Sequence, residues 1–269
     1  MSEQSKSETE SADVAGAGRV TAGLLVIGDE ILSGRTRDVN IGTTAEFCTD
    51  LGIELSEVRV VPDEIDEIVS AVNALRKRYT YVFTTGGIGP THDDITADAI
   101  AKAFGVALRV NEDAKAMLMS RWQGVGITPA RMRMARVPEG GELVVNAVSA
   151  APGFWIGNVI VMAGVPVVMK SMLEAVAPKL RGGRRILSAT VDAFVGEGAI
   201  GDPLAALQAE FPDVKMGSYP KMGQDRPSTQ LVLRSVDADR LRAATARVEE
   251  MVAAAHAERG VSVPMEDEK

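Results

Sequence analysis

From Arg19 to Gly105, short apolar runs rich in β-branched residues alternate with segments of helical periodicity. That alternation constrains the fold more than any other feature of the chain. "RVTAGLLVIG" and "TYVFTT" read as buried strands, and "IELSEVRVVPD" alternates until Pro62 ends it. Between them, "NIGTTAEFCTDLG" places Ile41, Ala45 and Cys48 on one helical face and stops at Gly52. "EIDEIVSAVNALRKRY" carries an apolar stripe with acids first and bases last, the order a helix dipole favours. "DITADAIAKAFG" supplies the next helix. Repeated β-α-β units predict a mostly parallel sheet covered by helices on both faces, a three-layer α/β/α architecture.

The middle of the chain is less regular. "NEDAKAMLMSRW" predicts a helix capped by Asn111, "APGFWIGNVIVMAGVP" two strands around a Gly-Asn turn, and "PVVMKSMLEAVAPKL" a further helix. From about Arg184 the order becomes strand, helix, strand, strand, long helix, which suits a smaller α+β domain with its own core. The expected organisation is a disordered tail over 1–18, an α/β ligand-binding domain over 19–175 and a small α+β domain over 176–269.

Composition narrows the chemistry. Aromatic residues make up only 4% of the chain, so Val, Ile, Leu, Ala and Met must build the core. With one cysteine, Cys48, no intramolecular disulfide can form, and a cytoplasmic location is expected. Two histidines and that cysteine cannot assemble a zinc site of the usual kind, so any metal must sit on oxygen ligands. A net charge of −8 without a basic stripe argues against nucleic-acid binding. No apolar run approaches the roughly 20 residues that span a bilayer, and the N-terminus has no signal-peptide pattern.

In a parallel sheet, ligands bind beyond the carboxyl ends of the strands. Three polar loops leave such ends: "GDEILSGRTRDVN", "VPDE" and "GGIGPTHDD". Gly86, Gly87 and Gly89 let a ligand approach bare backbone, and the following helix adds free N–H groups for an anion. Gly28, Asn40, Pro90 and His92 complete the candidate ligand-binding set. Asp29, Glu30, Asp63 and Asp94 are candidate ligands for Mg²⁺, Mn²⁺ or Co²⁺. Each has a structural alternative: Asp63, Asp94 and Asn40 are also credible helix N-caps, and strand-end acids can simply be solvated. Lys221 reads as a solvated loop lysine or a phosphate contact.

The ordered series "GDEILSG", "DVN", "VPDE" and "TTGGIGPTHDDIT" resembles the MoaB/Mog molybdopterin-binding fold. The later series "RMARVPEG", "APGF", "GVP", "EGAIGDPL" and "GSYP" is similar, more narrowly, to the N-terminal domain of competence/damage-inducible protein A (CinA). The resemblance implies a pocket for a phosphorylated nucleotide or pterin, molybdopterin being one candidate ligand. It also implies divalent-metal chemistry on a phosphoanhydride, with Asp63 and Asp94 as the catalytic acids. The CinA branch is linked to metal-dependent hydrolysis of ADP-ribose and related dinucleotides, and eukaryotic FAD synthases carry a similar domain. Homo-oligomers are common in the family, and the Met- and Arg-rich "RMRMARV" suits that expectation. Two departures stand out. Full-length CinA proteins add a C-terminal nicotinamide-nucleotide amidase domain, which is not expected in this chain. The proline usual before "GVP" is Ala163 here, where a local packing effect is expected.

Overall fold

The computed structural model describes residues 19–122, 127–221 and 228–259, so the expected tail over 1–18 lies outside the described residues. The chain divides into two compact units, Met1–Arg184 and Arg185–Lys269.

The first unit is a six-stranded sheet sandwiched between helices. Its strands are β1 (Val20–Ile27), β2 (Ile53–Val61), β3 (Tyr81–Thr85), β6 (Glu142–Val144), β7 (Gly153–Ile156) and β8 (Val159–Met162), in the order β2-β1-β3-β8-β7-β6. β1 runs parallel to β2 and β3, and β3 runs parallel to β8. The β7–β8 pair is the expected Gly-Asn hairpin and turns the far edge antiparallel, with β6 antiparallel to β7.

Successive side chains of a strand point to opposite faces, and this assigns each helix its layer. Leu25 and Ile27 of β1 join a core with Ile68 and Leu75 of α3 (Ile65–Arg78) and Ile100 of α4 (Thr96–Phe104). Leu24 and Val26 join a second core with Cys48 of α2 (Asn40–Asp50) and Met169 and Met172 of α7 (Pro166–Val176). The three-layer α/β/α expectation therefore holds. One detail of α2 is corrected: its buried stripe is Asn40, Thr44 and Cys48, not Ile41, Ala45 and Cys48. The i, i+4, i+8 stripe is the buried one, so two polar residues, Asn40 and Thr44, share the inner face with Cys48.

Between α4 and β6 lie a two-stranded ribbon, β4 (Leu108–Val110) with β5 (Arg136–Pro138), and two helices, α5 (Glu112–Arg121) and α6 (Pro129–Met132). Asn111 caps α5 as expected, its Oδ1 accepting from the Ala114 N–H at 2.9 Å. Ala114, Leu118 and Ala135 form a small satellite core.

The second unit is α+β. Its antiparallel sheet has the order β10-β11-β9, from β9 (Leu187–Ala193), β10 (Lys215–Lys221) and β11 (Ser228–Ser235). One face carries a core with α8 (Gly201–Glu210) and α9 (Ala238–Arg259), including Leu207, Leu231, Leu233 and Val248. The division falls at Arg184/Arg185, beyond the expected 175/176. Residues after α7 stay with the first unit because Leu180 packs on its core and the Gly183 N–H donates to Leu51 O at 3.1 Å. Among the described residues no helix is long and apolar enough to cross a membrane.

Candidate functional site

β1, β2, β3 and β8 are mutually parallel, so their carboxyl ends share one edge of the sheet. A cavity of about 760 Å³ opens there, lined by Gly28 and Glu30 after β1 and Asp63 after β2. Gly86–Pro90, Asp93 and Asp94 line it after β3, and Ala163–Val165 after β8. Its floor is bare backbone for a steric reason. Gly86 has φ +106°, and a Cβ there would lie 2.1 Å from the Ile27 carbonyl oxygen. The Gly86 N–H donates to Met162 O at 3.2 Å, and its carbonyl accepts from the Thr96 hydroxyl at 2.9 Å. Gly164 closes on the same point, 3.3 Å separating its would-be Cβ from the Gly86 Cα.

The acids divide into distinct roles. Asp94 is not the N-cap of α4: Ile95 holds that position and no side chain caps it. The Asp94 carboxylate instead ties the glycine loop together, accepting from the Gly89 N–H at 2.6 Å, the Thr91 N–H at 2.7 Å and the Thr91 hydroxyl. Arg133 anchors the same residue, donating to its carbonyl at 3.2 Å.

Asp63 is likewise not a cap, since Glu64 occupies that position on α3 without a side-chain bond. Asp63 Oδ2 accepts from the Asp29 N–H at 3.0 Å, and Oδ1 lies 3.6 Å from the would-be Cβ of Gly87, facing the glycine loop. Burial, followed by the neighbouring charges of Asp29, Glu30 and Asp93, raises its carboxyl above the usual range against the pull of the Asp29 N–H. The Glu30 carboxylate folds back over Gly28, 2.6 Å from where a Cβ would sit. Asp29 contributes its N–H and its charge but does not line the cavity.

His92, expected in the ligand-binding set, does not reach the cavity. The His92 side chain is 97% exposed and outside the cavity, whereas Asp93, not singled out in the sequence, lines it. Asn40 is 4% exposed and is the first residue of α2. Its capping role falls to Asp38, whose Oδ1 accepts from the Ile41 N–H at 2.8 Å. Asn40 Nδ2 donates to Gly164 O at 2.8 Å, and its Oδ1 is buried without a partner. Asn40 also lines a smaller cavity of about 70 Å³, which shares Ile27, Glu30 and Gly164 with the large one. An orphaned acceptor at that depth carries a desolvation cost that a ligand donor or a water would relieve.

The outer wall is Arg121, Trp122, Met134 and Val148–Ala151, of which only Met134 and Ala151 fall in the motifs "RMARVPEG" and "APGF". Ala163 keeps an N–H that proline would lack, and donates it to Met172 Sδ at 3.4 Å. Lys221 lies in the second unit, its Nζ 2.8 Å from Asp192 Oδ1.

The described lining carries four carboxylates, those of Glu30, Asp63, Asp93 and Asp94, against one guanidinium, that of Arg121. Among the described residues no three His, Cys, Asp or Glu side chains converge as a metal cage. The hard-oxygen donors nonetheless fit a Mg²⁺-type ion arriving with a phosphorylated ligand, because such an ion takes one or two protein carboxylates and fills its shell with phosphate and water.

Residues 23–182 match the family model described as a probable molybdopterin binding domain. Residues 185–260 match that of the FAD synthase middle domain. A protein of Caldivirga maquilingensis is 38% identical over 59% of this chain and 64% of its own length. A CinA-like protein of Desulfosudis oleivorans is 34% identical over 73% of this chain. The chain thus spans less than two thirds of the first and 51%, about half, of the second. A crystal structure of the protein CinA from Thermoplasma acidophilum, described as of unknown function, superposes with a TM-score of 0.57 at 35% identity. That match covers 60% of this chain and 98% of the other. With the family model matching more than half of the chain and a CinA structure matched over nearly its whole length, the chain belongs to the probable molybdopterin-binding domain family, on its CinA-like side.

Proposed function

We propose that the first unit is a divalent-metal-dependent pyrophosphatase acting on ADP-ribose or a related dinucleotide. The observation that carries this reading is Asp63: a half-buried carboxyl raised by burial and by three acidic neighbours, facing a glycine floor. A diphosphate entering alone would meet like charge, so the site requires a cation with its ligand. Glu30 and Asp93 would hold that ion, with phosphate and water filling its shell, and it would supply charge neutralisation at the phosphoryl oxygens and a bound water of lowered pKa. The chain's own groups do the rest. The glycine loop brings backbone against the diphosphate, and Asp94 fixes that loop through three donors. Asp63, whose Oδ1 faces the glycine floor, is placed to take a proton from the attacking water.

The test is incubation of purified protein with ADP-ribose and Mg²⁺, Mn²⁺ or Co²⁺, following AMP release. Asp63→Asn should lower the rate by roughly 100-fold, within the usual contribution of a general base. Absence of AMP with every metal, or unchanged release from the variant, would sink the hydrolase.

A second reading is favoured by two observations. The Asp94 carboxylate is already engaged by the loop, and no protein-only metal cage exists among the described residues. A module that binds a nucleotide or molybdopterin without turnover needs neither. Calorimetry would then show metal-aided binding of ADP-ribose with no product.

A further inference from the structure

Arg133 lies outside the lining of the large cavity and lines instead a crevice of about 10 Å³ that it shares with Gly87, Ile88, Gly89 and Asp94. It opens a short 3-10 helix, Arg133–Ala135, whose other end is fixed. Ala135 is fully buried in the satellite core, and its carbonyl accepts from the Asn111 N–H at 2.8 Å. From that platform the guanidinium reaches a residue 39 positions away in sequence, donating to the Asp94 carbonyl.

Asp94 is the knot of the glycine loop. Its N–H donates to Thr91 O at 3.4 Å, its carboxylate takes the Gly89 and Thr91 donors, and its carbonyl is left to Arg133. The bonds of Asp94 to Gly89 and Thr91 close the loop on itself, whereas the Arg133 bond ties it to a different segment. Packing alone does not account for how Arg133 is used. Arg136, three residues on, takes the Asp98 carboxylate at two points. Arg133 spends its donor on a backbone carbonyl, and its Nε is buried without a partner among the described residues. A desolvated, unpaired donor lowers stability, and an apolar side chain of similar length would avoid that cost. What the guanidinium contributes in return is the anchor on the loop.

We propose that Arg133 is a positioning residue for hydrolysis at the glycine floor. Held on the fixed 3-10 helix, it sets where the loop from Gly87 to Asp94 stands, and so how its backbone and the Asp93 carboxylate meet the diphosphate. This deepens, and rests on, the pyrophosphatase reading above. Arg133 touches neither ligand nor cation and acts through Asp94. A shift of about 1 Å at a reacting centre can cost about 100-fold in rate.

The test compares the full chain with Arg133→Met, which keeps length and packing but loses the donor, and with Arg133→Lys, which keeps a charged donor. Amide exchange on the protein alone should quicken about tenfold at Gly89, Thr91 and Asp94 in Arg133→Met. It should stay unchanged at the buried sheet residues Leu24 and Val82, and Arg133→Lys should bring the loop back to within about threefold of the wild type. With ADP-ribose and Mg²⁺, kcat for AMP release from Arg133→Met should fall about 10- to 100-fold with KM within about threefold, and Arg133→Lys should recover most of it. Exchange that quickens in the sheet as much as in the loop marks a residue needed only for folding and overturns the proposal. So does a loss confined to KM, or Arg133→Lys no better than Arg133→Met. If the wild type releases AMP and loop exchange does not respond, the Arg133 proposal alone falls. If the wild type releases no AMP but loop exchange responds as stated, the pyrophosphatase reading falls and Arg133 stands only as the anchor of the loop.

Discussion

Gly86→Ala should be the most damaging single-methyl change in the first unit. At φ +106° an alanine is strained, by about 1–3 kcal/mol for a sparsely populated backbone region. Its Cβ would lie 2.1 Å from the Ile27 carbonyl oxygen, where ordinary contact begins at 3.4 Å, so the ends of β1 and β3 must separate by more than 1 Å. That movement pulls on the Gly86 N–H bond to Met162 and the Thr96 bond to Gly86, each contributing about 1 kcal/mol. The sum is about 4 kcal/mol. Gly105→Ala is the control: its φ is +68°, nothing lies within 4 Å of its would-be Cβ, and only the left-handed penalty of about 1–2 kcal/mol remains. Both tryptophans, Trp122 and Trp155, belong to the first unit, so urea unfolding followed by tryptophan fluorescence isolates it. With a slope of about 2 kcal/mol per molar, Gly86→Ala should lower the midpoint by about 2 M and Gly105→Ala by less than about 1 M. Two variants within about 0.5 M of each other, at these slopes, would refute the steric argument.

Further outcomes follow from other contacts. The folded Asp63 carboxyl is raised, so the native state binds the extra proton; its contribution to stability is full below the usual carboxylate range and is lost as pH rises through the folded value. Asp63→Asn should therefore match the wild type in acid and become progressively more stable than it with rising pH; a gap that closes instead would contradict the assigned cause. Asp94→Ala removes the acceptor of three loop donors, and amide exchange at Gly89 and Thr91 should quicken at least about tenfold, equivalent to about 1.4 kcal/mol of lost bonding. Burial pushes the Cys48 thiol up to about 12, so a disulfide reagent should modify it only across the urea transition; rapid native-state labelling would refute its burial. Asp98→Ala strips Arg136 of a two-point ion pair at 2.7 and 3.0 Å and should cost about 1–2 kcal/mol in the same urea assay.

The parallel half of the sheet, its two helical layers and the glycine floor were all legible in the chain. Apolar alternation and helical stripes are periodic over a few residues, and parity alone sends Leu24 and Leu25 to opposite layers. The strand-end rule assigns Gly28, Glu30, Asp63 and Asp94 to one site, and all four line one cavity. What the tertiary structure decided is which of two neighbours faces inward, and what closes the site from outside. His92 and Asp93 differ by one position, and the loop tied by Asp94 leaves His92 in solvent and Asp93 on the wall. Asp38 and Asn40 differ by two, and the first caps α2 while the second is buried with an orphaned carbonyl. Trp122 has no local signature as a site residue, because its place on the cavity wall is set by packing between segments far apart in sequence. Backbone preference and periodicity are written locally. Side-chain direction at a loop, and the meeting of remote segments, arise only when the core closes.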